Sequence, residues 1–528
     1  MRKNILQHWN AGALGRWGAG ALGLLLVCHV NAADVNKDNN ADALELGSSW
    51  VGGIAPSGTD AARFDSAAGS QPSLTIDADM SFGNFLFDGS IASDITISGT
   101  GVVTLNAENN YVYGKHVTIS NNVIMSSSNN WTSFQVRTGG TLTVSGTWVK
   151  SAAAAVQTLQ VSGASGNAGV VNVTGYITDF NTFRIASGAT LNLSGTMKQS
   201  PGNILSNSNA VKSTVNLTGD GKFENTAWLV FGGGAWQFVG DWNMSGNSQV
   251  VATNLQLGDN SANSKIVFNQ NGGTVNLSAG TVQLYSNTTG ASAGYNLNGG
   301  TLNLKEVRVS ANSTFKLDGG TLKLIANSAD LFKQVGAGNA GRVIVSAGGA
   351  IIDTNGKVVS ASDTDALPLE HDTALSGGDG GLRVIGGGAL FLSKANTYDG
   401  GTVIEKAVLS VGANATLGTG DVVVSDSSTL QLFNNAAIDS GATLTFGSDV
   451  YIALDYNGTL TLAGLYDQTA NHWFDAGEYS AANLSAYGFS GLGSLTVIPE
   501  PSTWLLLITG AGLLSVTRRI RVSLSSRR

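Results

Sequence analysis

The 528-residue chain is poor in cysteine, proline and charge. Its single cysteine, Cys28, lies in an N-terminal segment that we expect to be removed, so disulfides and Cys-ligated metals are excluded from the mature protein. Only Pro201 and Pro368 fall between residues 73 and 498, as expected if most segments there donate backbone hydrogen bonds to a sheet. Charged residues make up 12%, about half the fraction typical of soluble domains. This composition is unlike that of a charged cytosolic enzyme.

Positive charge is concentrated at the two ends of the chain. Without residues 1–32 and 498–528, 20 Lys and Arg remain against 35 Asp and Glu, a net charge of about −15. Nucleic-acid binding needs a basic surface and is therefore disfavoured. A mildly acidic surface suits an extracellular soluble protein.

Glycine is abundant, at 70 residues, and it punctuates a repeated phrase. Residues 299–304 (GGTLNL) return as residues 319–324 (GGTLKL). Two glycines turn the backbone, and the alternation that follows is typical of a short strand with one buried face. Further variants of the phrase occur at 139–144, 188–193, 272–277, 388–392, 428–432 and 441–446.

These strands predict an all-β fold, which we interpret as a right-handed parallel β-helix (β-solenoid). Sandwiches would need linkers that are not seen, and a propeller needs regular repeats of roughly 40 residues. A β-helix tolerates variable spacing because loops of different length leave the coils at their corners. With about 20 residues per coil, we expect on the order of 20 coils and a rod of about 100 Å.

The N-terminus has the parts of a secretory signal peptide. Arg2, Lys3 and Arg16 supply positive charge, LGLLLV at 22–27 is apolar, and VNA ends at the expected cleavage site after Ala32. The alternative, a transmembrane anchor, is disfavoured because the apolar run is short.

The C-terminus contains a Pro-Glu-Pro signature, a short hydrophobic segment that we expect to be helical, and a basic end. The residues that we expect to carry a sorting signal are Pro499, Glu500, Pro501, Arg518 and Arg519. This order resembles the sorting tail of PEP-CTERM proteins. The resemblance implies transient inner-membrane anchoring, with the arginines cytoplasmic, and processing by an exosortase-type enzyme.

A second phrase characterises residues 336–497. GGALFLS at 387–393 is followed by NTYDGGT at 396–402 and LSVG at 409–412. The series resembles the autotransporter-associated β-strand repeat, whose usual wording is close to G-L-L-S-G-x-N-T-Y-x-G-G-T. Autotransporters end in a membrane β-barrel, whereas this chain ends in a basic tail, so the resemblance implies a shared repeat and a different export route.

An acidic segment follows the signal peptide. The residues at ligand positions of a twelve-residue calcium loop are Asp34, Asn36, Asp38, Asp42 and Glu45. Asn39 stands where such loops carry glycine, and no entering helix precedes them. We prefer a polar N-terminal cap over a calcium site, which stays a hypothesis.

Two enzyme-like motifs occur, GASAG at 290–294 and GAGNAG at 336–341. Neither has the strand–turn–helix context that its chemistry needs, so both are interpreted as turns. His116, His371 and His472 are far apart and lack metal-ligand spacing. The sequence thus predicts no catalytic, cofactor-binding or metal-binding residue, no cofactor and no enzymatic activity.

A polysaccharide lyase or glycoside hydrolase is the main alternative, since such enzymes need clustered carboxylates. Asp77, Asp79 and Asp353 are available, but we expect turn or edge roles, with Asp77 and Asp79 on one strand face. Exposed tryptophans would offer stacking surfaces for sugars, although packing in the core or a cap is the commoner fate. The candidates are Trp131, Trp148, Trp228, Trp236, Trp242 and Trp473.

The sequence therefore indicates an exported structural or adhesive protein of the cell surface or matrix of a Gram-negative bacterium, with extracellular glycans or neighbouring cells as partners. A secreted barrel or sandwich array with a binding function is a third reading. The expected parts are a signal peptide (1–32), a β-helix body (33–335), an autotransporter-repeat-like β-helix region (336–497), and a PEP-CTERM-like tail with a short transmembrane segment (498–528).

Overall fold

The computed structural model describes residues 33–498, apart from short gaps. The gaps are 67–70, 129–130, 138, 153–157, 163–168, 187, 200–202, 206–210, 233–237, 259–263, 287–289, 337–340 and 361–364. The predicted signal peptide, sorting tail and C-terminal helix lie outside the described residues. Within them the chain forms strands and two 3₁₀ turns, Gly47–Ser49 and Ser485–Tyr487.

The strands build a parallel β-solenoid of about 15 turns, which confirms the all-β, β-helical prediction. Each strand pairs in parallel with its counterparts one coil before and one coil after it, forming three stacks along the rod. Stack 1 contains Ser73–Thr75, Ile95–Ser98, His116–Ile119, Thr141–Val144, Val170–Val173, Thr190–Leu193, Ser213–Leu217, Val239–Met244, the first halves of Lys265–Leu277 and Ser292–Leu304, Ser313–Leu317, Arg342–Val345 and Leu369–His371. Stack 2 contains Met80–Phe82, Val103–Leu105, Val123–Met125, Thr147–Lys150, Tyr176–Phe180, Thr196–Gln199, Lys222–Asn225, Gln249–Ala252, the second halves of the same two long strands, Thr321–Leu324, Ala350–Asp353, Leu382–Ile385, Thr402–Glu405, Val422–Val424, Thr443–Phe446 and Gly464–Asp467.

Stack 3 consists of two sheets that follow one another along the chain. The first contains Asp34–Asn36, Ala61–Phe64, Asn84–Phe87, Asn109–Tyr113, Trp131–Arg137, Thr158–Ser162, Thr182–Ala186, Asn203–Leu205, Trp228–Phe231, Asn254–Leu257, Thr281–Leu284, Glu306–Ser310 and Phe332–Val335. The second contains Val358–Val359, Ala389–Leu392, Val408–Val411, Thr429–Leu432, Tyr451–Leu454 and Phe489–Gly491.

Many coils are longer than the predicted length of about 20 residues. Val123 pairs with Val103, a step as short as predicted, but Val384 pairs with Ile352, which lies much farther back in the chain. The predicted coil length was therefore too short for much of the rod. Loops at the corners contain the additional residues of the longer coils.

The repeated glycine pair marks the corner between stacks 1 and 2. Gly299 and Gly300 lie inside the strand Ser292–Leu304, and Gly300 has a φ of 69°, in the left-handed region that favours glycine. A Cβ atom on Gly300 would lie 2.2 Å from the carbonyl oxygen of Gly273, at the same corner one coil earlier. The pair therefore turns the backbone, as predicted, and also allows neighbouring coils to stack closely.

Side chains alternate between a dry interior and the outer faces, as period-two strands require. The buried residues form one core cluster along the rod. Four of them form an aromatic ladder at equivalent positions of successive coils: Trp242, Phe268, Tyr295 and Phe315. Their adjacent ring centroids are 5.9, 4.9 and 5.2 Å apart, with interplanar angles of 8°, 11° and 21°. In-register stacking thus follows directly from the coil repeat.

The cross-section changes where stack 1 ends, at Leu369–His371. In the next coil, Asn396 and Thr397 replace a strand: the N–H of Leu369 donates to Asn396 Oδ1 (2.8 Å), and the N–H of Thr397 donates to the carbonyl of Leu369 (2.9 Å). The NTYDGGT phrase therefore covers the edge of stack 1. Stacks 2 and 3 continue beyond it.

Both ends of the solenoid are covered. At the start, Trp50 is buried against Phe64 and Phe82, and its indole N–H donates to the carbonyl of Leu44 (2.7 Å). At the other end, His472–Trp473 pairs antiparallel with Gly464–Asp467, which covers the last strand of stack 2. Gly477–Ser480, Ser494–Val497 and Thr459–Leu462 form a small mixed sheet beside it. Such covers block edge-to-edge association of open strands.

Candidate functional site

The predicted sorting residues, Pro499, Glu500, Pro501, Arg518 and Arg519, lie outside the described residues. The sorting signal therefore stays a prediction. Within the described part of the chain, no helix has the length and apolar character needed to cross a membrane.

The acidic N-terminal segment is organised around a lysine. Lys37 is buried, and its ammonium donates to the carbonyl oxygens of Asp38 and Asn40 (both 2.8 Å) and to Asn40 Oδ1 (2.9 Å). Burial lowers the pKa of Lys37 below its ordinary value. Asp34 instead lies in the first strand and pairs with Arg63 (3.3 Å). This geometry supports the polar cap, because a lysine already occupies the oxygen-lined position that a cation would take.

The three carboxylates considered for catalysis do not converge. Asp77 and Asp79 lie in the loop between Ser73–Thr75 and Met80–Phe82, so their placement on one strand face was wrong. The Asp79 carboxylate accepts the N–H of Val102 (2.9 Å), which is a turn role as predicted. Asp353 ends a strand, accepts the N–H of Asn355 (2.8 Å) and faces Lys323 (3.5 Å).

The tryptophans divide into buried and exposed groups. Trp148 and Trp242 are buried in the core. Trp228 is 38% exposed and Trp473 is 59% exposed, so these two retain accessible ring faces. The side chains of Trp131 and Trp236 lie outside the described part of the chain.

The enzyme-like glycine motifs have ordinary backbone roles where they are described. Ser292 opens the long strand Ser292–Leu304, so assigning all of residues 290–294 to a turn was wrong. No helix follows in the described part of the chain, whereas a nucleophile elbow requires one. Most of the motif at 336–341 lies outside the described residues.

A cluster that sequence reasoning missed surrounds His371. Its Nδ1 lies 3.0 Å from Asp379 Oδ2 and 3.4 Å from Asp399 Oδ1. Each of the three residues thus offers an atom that could ligate a metal ion, and these atoms lie within 4.8 Å of one another. The hydrogen bond to Asp379 raises the pKa of His371, and the charges of Asp399 and Asp372 add to this effect. Asp379 and Asp399 lie one coil apart, in the phrases GDGG and YDGG. The recurrence of this phrase from one coil to the next was the available signal.

The geometry of this cluster favours a structural tie over a metal site. Asp379 Oδ1 accepts the N–H groups of Gly381 and Gly400 (both 2.9 Å). Its Oδ2 accepts the N–H of Asp399 (3.0 Å) in addition to His371. Because backbone donors already occupy its oxygens, Asp379 joins two coils and leaves little capacity for a cation.

The outer face of stack 1 carries a ladder of asparagines. Each side-chain N–H donates to the Oδ1 of the asparagine one coil earlier, at 2.8 to 3.0 Å. The members of this asparagine ladder are Asn172, Asn192, Asn216, Asn243, Asn269 and Asn296. Asn172 continues the row to Thr143 Oγ1 (3.2 Å). The array presents amide groups to solvent at one per coil.

A groove of about 920 Å³, here called the C-terminal groove, follows the corner between stacks 2 and 3. Its charged lining residues are Arg383, Glu405, Lys406 and Asp426. Arg383 and Glu405 form a two-point ion pair, with Nε to Oε1 at 3.0 Å and Nη2 to Oε2 at 2.6 Å. Glycine, serine and threonine residues supply much of the remaining surface. The groove is open, and its surface combines polar and apolar atoms, which suits an extended ligand better than an enclosed one.

A second groove, of about 600 Å³, occupies the same corner nearer the N-terminus. Its lining includes Lys198, Glu224, Asn276 and Asn303. The side chain of Asn303 donates to Asn276 Oδ1 (2.7 Å), so a short amide row continues along this corner as well. Concave corners therefore recur along the rod.

Comparison of the chain with protein-family models, with curated proteins and with solved structures gives no match. The resemblances to PEP-CTERM tails and to autotransporter-associated repeats thus rest on the short motifs quoted above. The functional conclusion depends on those motifs and on the geometry of the solenoid.

Proposed function

We propose that the chain is an exported structural or adhesive protein of the cell envelope or extracellular matrix of a Gram-negative bacterium, associated with extracellular polysaccharide. The observation that carries this proposal is the outer surface: regular polar arrays and open grooves extend along the rod. A surface of this kind suits many weak contacts made in parallel, whose avidity exceeds that of each contact.

Export and sorting rest on the two ends of the sequence. The signal-peptide pattern and the Pro-Glu-Pro tail support secretion, transient anchoring and processing by an exosortase-type enzyme. We also propose that the solenoid is right-handed, because crossovers between parallel strands have that sense in about 98% of cases.

Localisation of the protein in its host tests this proposal. A chain lacking residues 499–528 should be misplaced, and the mass of the wild-type mature protein should show whether processing occurs near Pro499. A variant with alanines at Pro499, Glu500 and Pro501 separates the signature from the hydrophobic segment. Unchanged distribution and processing of both variants would refute the sorting proposal.

A glycan-cleaving β-helix enzyme is the second candidate. The C-terminal groove favours it, since Glu405 and Asp426 place carboxylates in an open groove beside Arg383. Incubation with neutral and acidic polysaccharides should release no new reducing ends or unsaturated uronates if the structural role is correct. Release that disappears in Glu405→Gln would establish the enzyme instead.

A further inference from the structure

We infer that the C-terminal end of the solenoid contacts a lipid membrane, into whose interfacial layer exposed apolar side chains of the closing coil insert. These side chains, here called the terminal rim, belong to Trp473, Tyr487, Leu492 and Ile498. The inference adds a contact between the folded rod and the membrane to the tail anchor, and it rests on the anchoring proposed above.

Large hydrophobic side chains are strongly exposed in the terminal rim. Leu492 is 86% exposed, Trp473 59%, Ile498 41% and Tyr487 37%. All four follow Gly464–Asp467, the last strand of stack 2, so they belong to the coil that closes the rod. In the much longer part of the described chain between residues 55 and 432, the comparable residues are Val211, Trp228 and Val358. Apolar side chains gathered at one end of a protein mark an interaction surface.

Two members of the rim lie on either side of Phe489–Gly491, the last strand of stack 3. Tyr487 precedes this strand, at the corner between stacks 2 and 3, and Leu492 follows it, at the corner between stacks 3 and 1. The backbone N–H of Leu492 donates to the carbonyl of Leu454 one coil earlier (3.1 Å), which fixes the backbone at this corner.

The other two members lie at the third corner. The N–H of Ile498 donates to the carbonyl of Leu462 (3.0 Å), just before the start of Gly464–Asp467. The ring of Trp473 lies beside the same strand start, since a Cβ atom on Gly464 would be 2.9 Å from it. The rim therefore surrounds the end of the rod, and a flat surface at that end contacts several of its side chains together.

Both aromatic members of the rim are supported by other rings. The ring centroids of Trp473 and Tyr466 are 4.7 Å apart, at an interplanar angle of 33°. Tyr487 packs edge-on against Phe474 (5.2 Å) and Phe446 (6.0 Å). Trp and Tyr side chains combine an apolar body with a polar tip, and they are enriched at the level of lipid head groups for that reason. The rim therefore has the residue types of a membrane interface.

The sequence that follows the rim determines what lies next to it. Ile498 is the last described residue, and residues 501–517 carry no charge. Trp504 lies six residues beyond Ile498, a distance of at most ~20 Å even for an extended chain. The rod, at about 15 coils and ~4.8 Å per coil, is ~70 Å long. When the uncharged segment is in a membrane, as proposed, the terminal rim is held near its surface, whereas the tether places no such limit on the opposite end.

Charge selects the class of lipid. Residues 407–498 contain eight Asp and Glu and no Lys or Arg. An anionic surface repels such an end over a Debye length of ~8 Å at physiological ionic strength, whereas a zwitterionic surface does not. We therefore expect the rim to contact a zwitterionic membrane surface.

Charge also argues against a second copy of the chain at this end. Residues 33–114, at the opposite end of the rod, contain eleven Asp and Glu against Lys37 and Arg63. End-to-end contact would bring two acidic regions together, and their charges repel each other.

Fluorescence quenching in vesicles tests the inference. The whole chain without its signal peptide (33–528) is reconstituted into phosphatidylethanolamine–phosphatidylcholine vesicles whose lipids are brominated near the head group, because bromine quenches only nearby tryptophans. Of the eight tryptophans in this chain, we expect quenching of Trp473 in the rim and Trp504 in the tail. Trp504→Phe should therefore lose one part of the quenching, Trp473→Phe the other part, and the double variant all of it.

Matched variants separate position from exposure. Trp228→Phe, which removes an exposed tryptophan from the middle of the rod, should leave the quenching unchanged. Leu492→Asp should reduce the part that depends on Trp473, because a carboxylate inserts poorly among lipids. Ile54→Asp, which changes a 74% exposed side chain at the opposite end, should not reduce it. Wild-type melting temperatures confirm that each variant is folded.

Quenching of Trp504 without quenching of Trp473 would overturn the inference and leave the proposed anchoring standing, whereas quenching of neither would refute both. Trp473 emission that shifts to the blue with rising protein concentration in lipid-free detergent would show that a second copy covers the rim, which also overturns the inference. Replacing phosphatidylethanolamine by anionic phosphatidylglycerol should weaken the quenching of Trp473 at low salt. Stronger quenching there would show that the assigned lipid class is wrong.

Discussion

The asparagine ladder makes a local, measurable prediction at Asn243. Its side-chain N–H donates to Asn216 Oδ1 (3.0 Å), and its Oδ1 accepts from Asn269 (2.9 Å). Asn243→Ala removes both bonds. Each contributes a net ~0.5–1.5 kcal/mol, and the partly exposed partners can turn to water, so we expect a loss of about 1–2 kcal/mol.

Native-state hydrogen exchange is the suitable assay, because each coil of a solenoid is stabilised mainly by its contacts with the adjacent coils. A global unfolding measurement is less suitable, because unfolding of a long repeat array need not be two-state. Exchange should accelerate about 5–30-fold in Ser213–Leu217, Val239–Met244 and the first half of Lys265–Leu277. Thr402–Glu405 and Thr429–Leu432, many coils away, should exchange at the wild-type rate.

Asn298→Ala is the matched control. Asn298 also makes an amide bond between coils, to Asn271 Oδ1 (2.8 Å), but it is exposed and outside the ladder. Its loss should change exchange by about twofold at most, as expected of a surface substitution. Unchanged exchange around Asn243, or an equal acceleration along the whole rod, would refute the reasoning.

Four further predictions concern the core and the charged groups. Phe268→Ala, in the middle of the aromatic ladder, should cost about 3–5 kcal/mol and Phe268→Leu clearly less, as measured by exchange of the coils at Trp242 and Tyr295. The pKa of His371 is raised in the folded state, so its stabilising effect is present below its ordinary pKa of 6.5 and lost as pH rises through the folded value. The melting-temperature difference between wild type and His371→Gln should therefore be larger at pH 5.5 than at pH 8.5; an equal difference would contradict this. The pKa of Asp372 is lowered to about 2, mainly by the hydrogen bond from Lys316. Asp372→Asn should therefore lower the melting temperature of the protein at pH 7, and this difference from wild type should disappear as the pH falls from 3.8 towards 2. Calorimetric titration with calcium should give no heat for wild type, because Lys37 occupies the N-terminal oxygen cluster; a stoichiometric signal would support the calcium loop instead.

Much of the architecture was accessible from the sequence, because its cause is local. The alternation in residues 299–304 fixes which side chains face inward, and the glycine pair is required where Gly300 stacks on Gly273. A stacked β-helix is expected to align asparagines and threonines in ladders, but which asparagines form this ladder was not predicted. Its formation depends on register between coils of unequal length, which a pattern within one coil does not determine.

The candidate site was less predictable for the same reason. His371 and Asp399 are brought together by the stacking of one coil on the next, as are Arg383 and Glu405, which lie on neighbouring strands of stack 2. Trp473 was a candidate among six tryptophans, and only its place on the closing strand distinguishes it from buried Trp148 and Trp242. Amino-acid composition determines neither which residues of stacked coils meet nor which tryptophan is exposed.

The coil lengths explain why the C-terminal groove lies where the repeat phrase does. From Val384 onward, equivalent positions of stack 2 follow at nearly equal intervals along the chain, through Ile404, Val424 and Phe446. Coils of nearly equal length keep their turn residues aligned, so the corner becomes a continuous groove rather than a series of loops. In the N-terminal part, longer intervals, such as that between Trp148 and its partner Ile177, place extra chain at the corners. A regular repeat therefore does more than extend the rod: it aligns the turn residues of successive coils along one corner, where the C-terminal groove lies.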